Sequence, residues 1–125
     1  KENSRKLDDS YGYSSSSDSF ALSPDELKRA EEKAIAGDME NLRIVVDYYT
    51  YSSPSFEDGF DKGNVLKWTE LGASRGNVTH ISNYLLFSEK SDEPCNKISK
   101  YFNILKEKNP EEAKDRNRGH VKECL

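Results

Sequence analysis

The residues whose spacing most clearly predicts chemistry in this chain are its two cysteines. Cys95 and Cys124 lie at equal distances from a turn at Asn109 and Pro110. If the segments on either side form an antiparallel helix pair, the two cysteines lie opposite each other and can bond. The alternative is two separate buried thiols. A disulfide would stabilise the fold by roughly 3–4 kcal/mol in the chain-entropy model and would indicate an oxidising compartment.

No further group of residues predicts catalysis. The histidines, His80 and His120, have no nucleophile beside them in a recognisable turn, and the sequence contains no GxSxG, phosphate loop or HExxH motif. Two cysteines without CxxC spacing and two histidines far from each other do not predict a zinc site. We therefore expect no catalytic residue, no metal and no cofactor. Because carboxylates are numerous, an enzyme with an unrecognised carboxylate pair stays open as an alternative.

An acidic and aromatic stretch, DMENLRIVVDYYTYSSPSFEDGFD, covers residues 38–61. It holds six acids against one base and five of the thirteen aromatic residues. Rings supply contact area in protein interfaces, and carboxylates steer the approach of a basic partner. The alternative is that Tyr49 is core, the other rings pack the loop down and the acids are solvated. We expect a partner-binding face formed by Asp47, Tyr48, Tyr51, Phe56, Glu57, Asp58, Phe60 and Asp61.

A short phrase recurs in the sequence after 39 residues. AIAGDMENLRIVV begins at Ala34 and ASRGNVTHISNYL begins at Ala73, with Gly37 and Gly76 in register. The apolar positions have helical spacing, and glycine followed by Asp or Asn suits the end of one helix and the capped start of the next. Each copy predicts a helical hairpin, and the period is typical of helical repeat proteins. Coincidence between two ordinary helix boundaries is the alternative.

These patterns predict an all-α fold, a short α-solenoid of about six helices in three antiparallel hairpins. Residues 1–22 are expected to form a flexible leader and residues 23–125 a single domain. Within that domain, residues 23–88 form two hairpins and residues 89–125 a C-terminal capping hairpin. A capping box at Ser23 and Glu26 begins the first helix. The predicted helices cover 24–36, 39–51, 64–74 and 77–88, then one capped by Ser91 or Asp92 and one after Pro110.

Composition narrows the classes of partner. The net charge of −4 argues against nucleic acid, which needs a basic face. No run approaches the ~18 apolar residues of a membrane helix. The sequence begins at Lys1 without a methionine. One expectation is that residues 1–22 are the spacer of an exported protein, or of one with a lipid anchor upstream of Lys1, after signal removal; the other is a trimmed disordered tail.

The repeated hairpins resemble the Sel1-like repeat over roughly residues 27–88. The match is degenerate, because Gly72 stands where a second Ala is usual and Val46-Asp47 stands where Leu-Gly is usual. The resemblance implies an α-solenoid that binds other proteins. The residues that carry it are Ala34, Gly37, Asp38, Leu42, Tyr49, Gly63, Lys67, Trp68, Ala73, Gly76 and Asn77.

Small exported Sel1-like proteins also resemble the immunity proteins of bacterial type VI secretion systems. That resemblance implies a periplasmic protein that neutralises an effector such as a phospholipase or cell-wall hydrolase, here one with a basic surface. The alternatives are an envelope or secretory-pathway scaffold and, third, the enzyme with an unrecognised carboxylate site.

Overall fold

The computed structural model describes residues 20–53 and 60–125. Over these ranges the chain is all-helical, as predicted, and each helix packs against its neighbour in sequence from α1 to α6. None of the helices in these ranges combines the length and apolar character needed to cross a membrane. The helices are α1 Pro24–Ile35, α2 Met39–Tyr51, α3 Lys62–Ser74, α4 Val78–Ser88, α5 Cys95–Lys108, α6 Pro110–Arg116 and α7 Gly119–Glu123.

The two predicted tight turns have the same hydrogen bonds at the same 39-residue offset. The amide of Gly37 donates to the carbonyl of Ala34 at 3.1 Å, and that of Gly76 donates to Ala73 at 2.9 Å. The next amide in each turn donates to the carbonyl five positions back, at 2.9 Å and 3.2 Å. The glycine φ angles are +119° and +82°. No atom lies where either Cβ would stand, so glycine is required here by backbone strain and not by crowding.

Short polar side chains begin the helices of both hairpins. Ser23 and Glu26 form the predicted capping box, with the Glu26 amide donating to Ser23 Oγ at 3.1 Å and the Ser23 amide donating to Glu26 Oε1 at 2.8 Å. Asp38 caps α2 and Asn77 caps α4. Each cap satisfies a helix-end amide that has no partner within the helix.

Helix α3 joins two apolar clusters into one stack, because Trp68 packs in the first while Leu66 and Ala73 pack in the second. Helix periodicity in the sequence assigns Leu42, Val45, Val46 and Tyr49 to the core. The first three are buried, whereas Tyr49 is half-buried and packs at the edge of the first cluster. The first cluster is Ala30, Ala34, Leu42, Val45, Val46 and Trp68. The second is Leu66, Ala73, Ile81, Tyr84, Leu85, Ile98, Tyr101, Phe102, Leu105, Ala113 and Val121.

The predicted disulfide is present, with the Cα atoms of Cys95 and Cys124 5.0 Å apart. The last predicted helix is divided, however, so that seven helices replace the expected six in the part of the chain described. The break falls before Gly119, whose φ is +54° and whose Cβ would lie 2.5 Å from the carbonyl oxygen of Glu89. The amide of His120 donates to the same oxygen at 2.9 Å. The chain therefore turns here to pack against the end of α4.

Two predicted helix starts are wrong. Helix α3 begins at Lys62, two residues earlier than expected, because Asp61 acts as its N-cap. Helix α5 begins at Cys95 with Pro94 at the N-cap and no side-chain cap. Ser91, one of the two predicted caps, instead donates from Oγ to the carbonyl of Ser88 at 2.9 Å.

Candidate protein-binding surface

Three of the predicted binding residues, Asp47, Tyr48 and Tyr51, lie on α2 opposite its buried stripe. Tyr51 is 49% exposed, although its ring lies 4.8 Å from that of Phe20. Tyr48 is half-buried and packs edge-on against Tyr49, with ring centroids 5.1 Å apart. Asp47 and Tyr51 are four residues apart and so adjoin on one helix face. Helix α2 therefore places the part-buried Asp47 carboxylate beside the Tyr51 ring, and the role of these residues in partner binding stays a prediction.

Asp47 belongs to an acidic triad with Glu40 and Arg43 on the same helix. One guanidinium nitrogen of Arg43 lies 2.9 Å from Asp47 Oδ2 and the other lies 2.5 Å from Glu40 Oε2. Burial raises the pKa of the Asp47 carboxyl to about 6 and outweighs the Arg43 guanidinium, which lowers it. Above that pH the triad carries one net negative charge. It can thus attract a cation while holding its own side chains in place.

The triad lines one wall of a groove between α2 and α4, of about 250 Å³. Asn77, Thr79, His80 and Asn83 line the other wall. Met39 and Val46 add apolar surface to the α2 wall, so the groove combines apolar contact area with carboxylate, amide, hydroxyl and imidazole groups. Such a mixed lining suits a partner's long polar side chain, whose stem and polar end can both be accommodated.

His80 is built into the base of this groove and is only 6% exposed. Its ring packs on Gly72, where a Cβ would lie 2.3 Å from Cγ of the imidazole. Burial lowers the pKa of His80, and the Arg75 charge lowers it further. Nδ1 is buried without a hydrogen-bond partner. The glycine at position 72, which departs from the repeat pattern, therefore makes room for a neutral histidine from the next helix.

The other described residues of the predicted face lie at the start of α3 and differ in their surroundings. Asp61 accepts hydrogen bonds from the Asn64 amide at 3.4 Å, Asn64 Nδ2 at 3.1 Å and Ser53 Oγ at 3.0 Å. Its carboxylate is thus committed to capping α3. The Phe60 ring packs against Phe87 of α4, with centroids 5.0 Å apart. Phe56, Glu57 and Asp58 lie outside the described residues.

Phe60, Leu86 and Phe87 form an apolar patch that the sequence did not predict as a unit, here named the Phe60 patch. Leu86 is 41% exposed. A cleft of about 340 Å³ at the patch is also bordered by Lys62, Glu89 and Lys90. Leu86 is neither acidic nor aromatic, so a search for acidic and aromatic residues could not identify it. Its place among the outward-facing positions of the amphipathic helix α4 could have done so.

Helix α4 connects the groove to the Phe60 patch. Asn83 lines the groove, while Leu86 and Phe87, three and four residues further on, belong to the patch. Residues at these spacings are neighbours on a helix surface. The predicted residues of α2 and Phe60 are therefore linked into one α2–α4 surface, which consists of the acidic triad, the groove and the Phe60 patch.

A cluster with metal-ligating side chains lies at the other end of the domain. Cys95, His120 and Cys124 place their ligand atoms within 4.8 Å of one another. Spacing in the sequence did not group a histidine with the two cysteines, because Cys95 is distant along the chain and comes near His120 only where α7 packs against α5. In the disulfide form the sulfurs are bonded to each other.

Comparison of the chain with protein-family models, with curated proteins and with solved structures finds no match to any of them.

Proposed function

We propose that this chain is a non-catalytic protein-binding module that engages a basic-surfaced partner through its α2–α4 surface. The observation that carries the proposal is the exposed ring of Tyr51 beside the net-negative triad, continued along α4 by Leu86. Aromatic anchors beside charged groups that steer association are typical of protein interfaces. More specifically, we propose a periplasmic immunity protein that covers a secreted effector. The disulfide supports an oxidising compartment.

The triad favours binding over catalysis. A carboxylate pair that transfers protons needs one group that stays protonated and one that stays ionised, with pKa values that their surroundings set apart. Here Arg43 bridges Asp47 and Glu40, and Glu40 is largely exposed. This arrangement supplies a fixed charge and has the features of a docking site for a partner's Lys or Arg.

The test uses as the partner the product of a toxin-like lipase or amidase gene, where such a gene lies beside the gene for this chain. Tyr51→Ala and Leu86→Ala should each weaken binding by about 30-fold, equivalent to ~2 kcal/mol for a hot spot, mostly through faster dissociation. Ile35→Ala is the matched control, because Ile35 is a 64% exposed apolar residue at the end of α1. Equal affinity for the parent and all three variants would place the interface elsewhere.

A growth assay separates an immunity protein from a scaffold. Co-expression of the effector in the periplasm should stop growth, and this chain should restore it while Tyr51→Ala restores it less. A complex that forms without protecting the cells would favour the envelope scaffold. Turnover of a substrate by the chain alone, abolished by Asp47→Asn, would favour the enzyme.

A further inference from the structure

We propose that the reduced form of this chain binds a thiophilic divalent cation, of which Zn²⁺ is the type, through Cys95, Cys124 and His120. Two thiolates and an imidazole are the ligands that Zn²⁺ prefers in proteins. In the disulfide form the same three side chains hold the end of the domain together. The site therefore has two states that exclude each other.

The geometry is close to that of a tetrahedral zinc site. Zn–S and Zn–N bonds of about 2.3 and 2.0–2.1 Å place neighbouring ligand atoms about 3.5–3.8 Å apart. Cys124 Sγ and His120 Nε2 are 3.7 Å apart, and all three ligand atoms lie within 4.8 Å of one another. Cleavage of the S–S bond lets the sulfurs move apart to non-bonded distance, which is also the distance that tetrahedral coordination requires.

The surroundings of His120 supply the outer support that such a ligand needs. Nε2 lies 2.8 Å from the carbonyl oxygen of Glu93, to which it donates in the disulfide form. Nδ1 lies 3.6 Å from Glu123 Oε1. If the proton moves to Nδ1, a small shift of the Glu123 side chain, which is 77% exposed, lets its carboxylate accept a hydrogen bond from Nδ1–H. The Nε2 lone pair then becomes available once the ring turns from the Glu93 carbonyl. A carboxylate behind a metal-bound histidine is a common supporting arrangement.

The Cys95–Cys124 disulfide is accessible to a reductant, and its reduction balances in electrons and protons. Cys95 is exposed, so a dithiol reductant can attack the disulfide from solvent. The reductant gives up two electrons and becomes a disulfide, while Cys95 and Cys124 are released as thiols. Binding of the cation then transfers two thiol protons to water, so affinity should fall as the pH is lowered. The fourth coordination position is left for water or a further oxygen ligand.

The test titrates Co²⁺ and then Zn²⁺ into the whole chain, oxidised or reduced with a phosphine under argon. The reduced chain should bind one equivalent and give the visible absorption of tetrahedral Co²⁺ with thiolate ligands, and the oxidised chain should not. His120→Ala should weaken Zn²⁺ binding by tenfold or more, and Glu123→Gln by about tenfold. His80→Ala is the matched control and should bind as the parent does.

Several outcomes would overturn the proposal. One is a reduced chain that binds no Co²⁺. Another is equal affinity in the parent and His120→Ala, which would leave only two unsupported thiolates. If reduction unfolds the chain, Zn²⁺ should restore the helical circular dichroism of the parent. Failure to restore it, or equal restoration in His120→Ala, would also exclude the site.

Discussion

Replacing Cys95 and Cys124 together by alanine removes a covalent link between two residues 29 positions apart. Alanine is the better replacement than serine because Cys124 packs against the second apolar cluster. The fold should persist, since Val121 on α7 is fully buried and the His120 amide still bonds to Glu89. The change therefore isolates the contribution of the closed loop.

The expected loss follows from the length of that loop. For about 30 residues the chain-entropy relation gives an unfolded-state entropy change of about −12 cal/mol/K, or about 3.6 kcal/mol at 25 °C. An unfolding entropy of about 2.1 cal/mol/K per residue, over the roughly 100 residues that the structure describes, converts this to about 17 °C. Because measured disulfides often deliver less, we expect a fall in melting temperature of about 10–17 °C.

Circular dichroism melts and urea titrations of the parent, the reduced parent and the double variant measure this change. The reduced parent, kept free of metal, should match the double variant to within a few degrees, which separates loss of the bond from loss of the sulfur atoms. A fall of less than about 3 °C in both would refute the loop-entropy reasoning. It would mean that the denatured chain already holds α5 near α7, so that the bond restricts little.

Three further changes test the hairpins and the groove. Gly72→Ala should cost about 1–3 kcal/mol by overpacking against His80, and much of that loss should disappear in Gly72→Ala/His80→Ala, as a double-mutant cycle of urea titrations would measure. Gly37→Ala and Gly76→Ala should each cost about 1–2 kcal/mol because φ is positive at both, and a loss at only one would contradict the equivalence of the turns. The raised pKa of Asp47 means that the folded state holds its proton more tightly than the unfolded state, so the contribution of Asp47 to stability should fall as the pH rises from about 4 to about 6. Asp47→Asn should remove that loss and be more stable than the parent by roughly 1–3 kcal/mol at pH 7.5, with no difference at pH 4.

The parts of the fold that could be predicted from the sequence depend on local rules. The capping box at Ser23 and the glycine turns at Gly37 and Gly76 are each set by a few consecutive residues. To predict the pairing of Cys95 with Cys124, one assumption about distant segments was enough, namely that the two helices run antiparallel. The bond is present although the second helix is divided after α6, because α7 still returns the chain to the start of α5.

The parts that could not be predicted depend on contacts between distant segments. The break at Gly119 comes from its close approach to the Glu89 carbonyl, which no periodicity in the last helix indicates. The acidic composition of residues 38–61 suggested that Asp61 is a solvated surface acid, but its carboxylate caps α3. Phe60 lies in a stretch selected for its rings, yet its partner is Phe87, 27 residues further along the chain. Composition identified the candidate residues but not their neighbours.

The structure of α4 decides which residues can test the proposed interface. Ile81, Tyr84 and Leu85 are fully buried, so changes there would lower affinity merely by disturbing the fold. Asn83 and Leu86 lie on the other side of the same helix, where one lines the groove and the other borders the Phe60 patch. Exposed helix positions usually change stability by no more than about 0.5 kcal/mol. A large loss of partner affinity at Leu86 with an unchanged melting temperature would therefore report on binding itself.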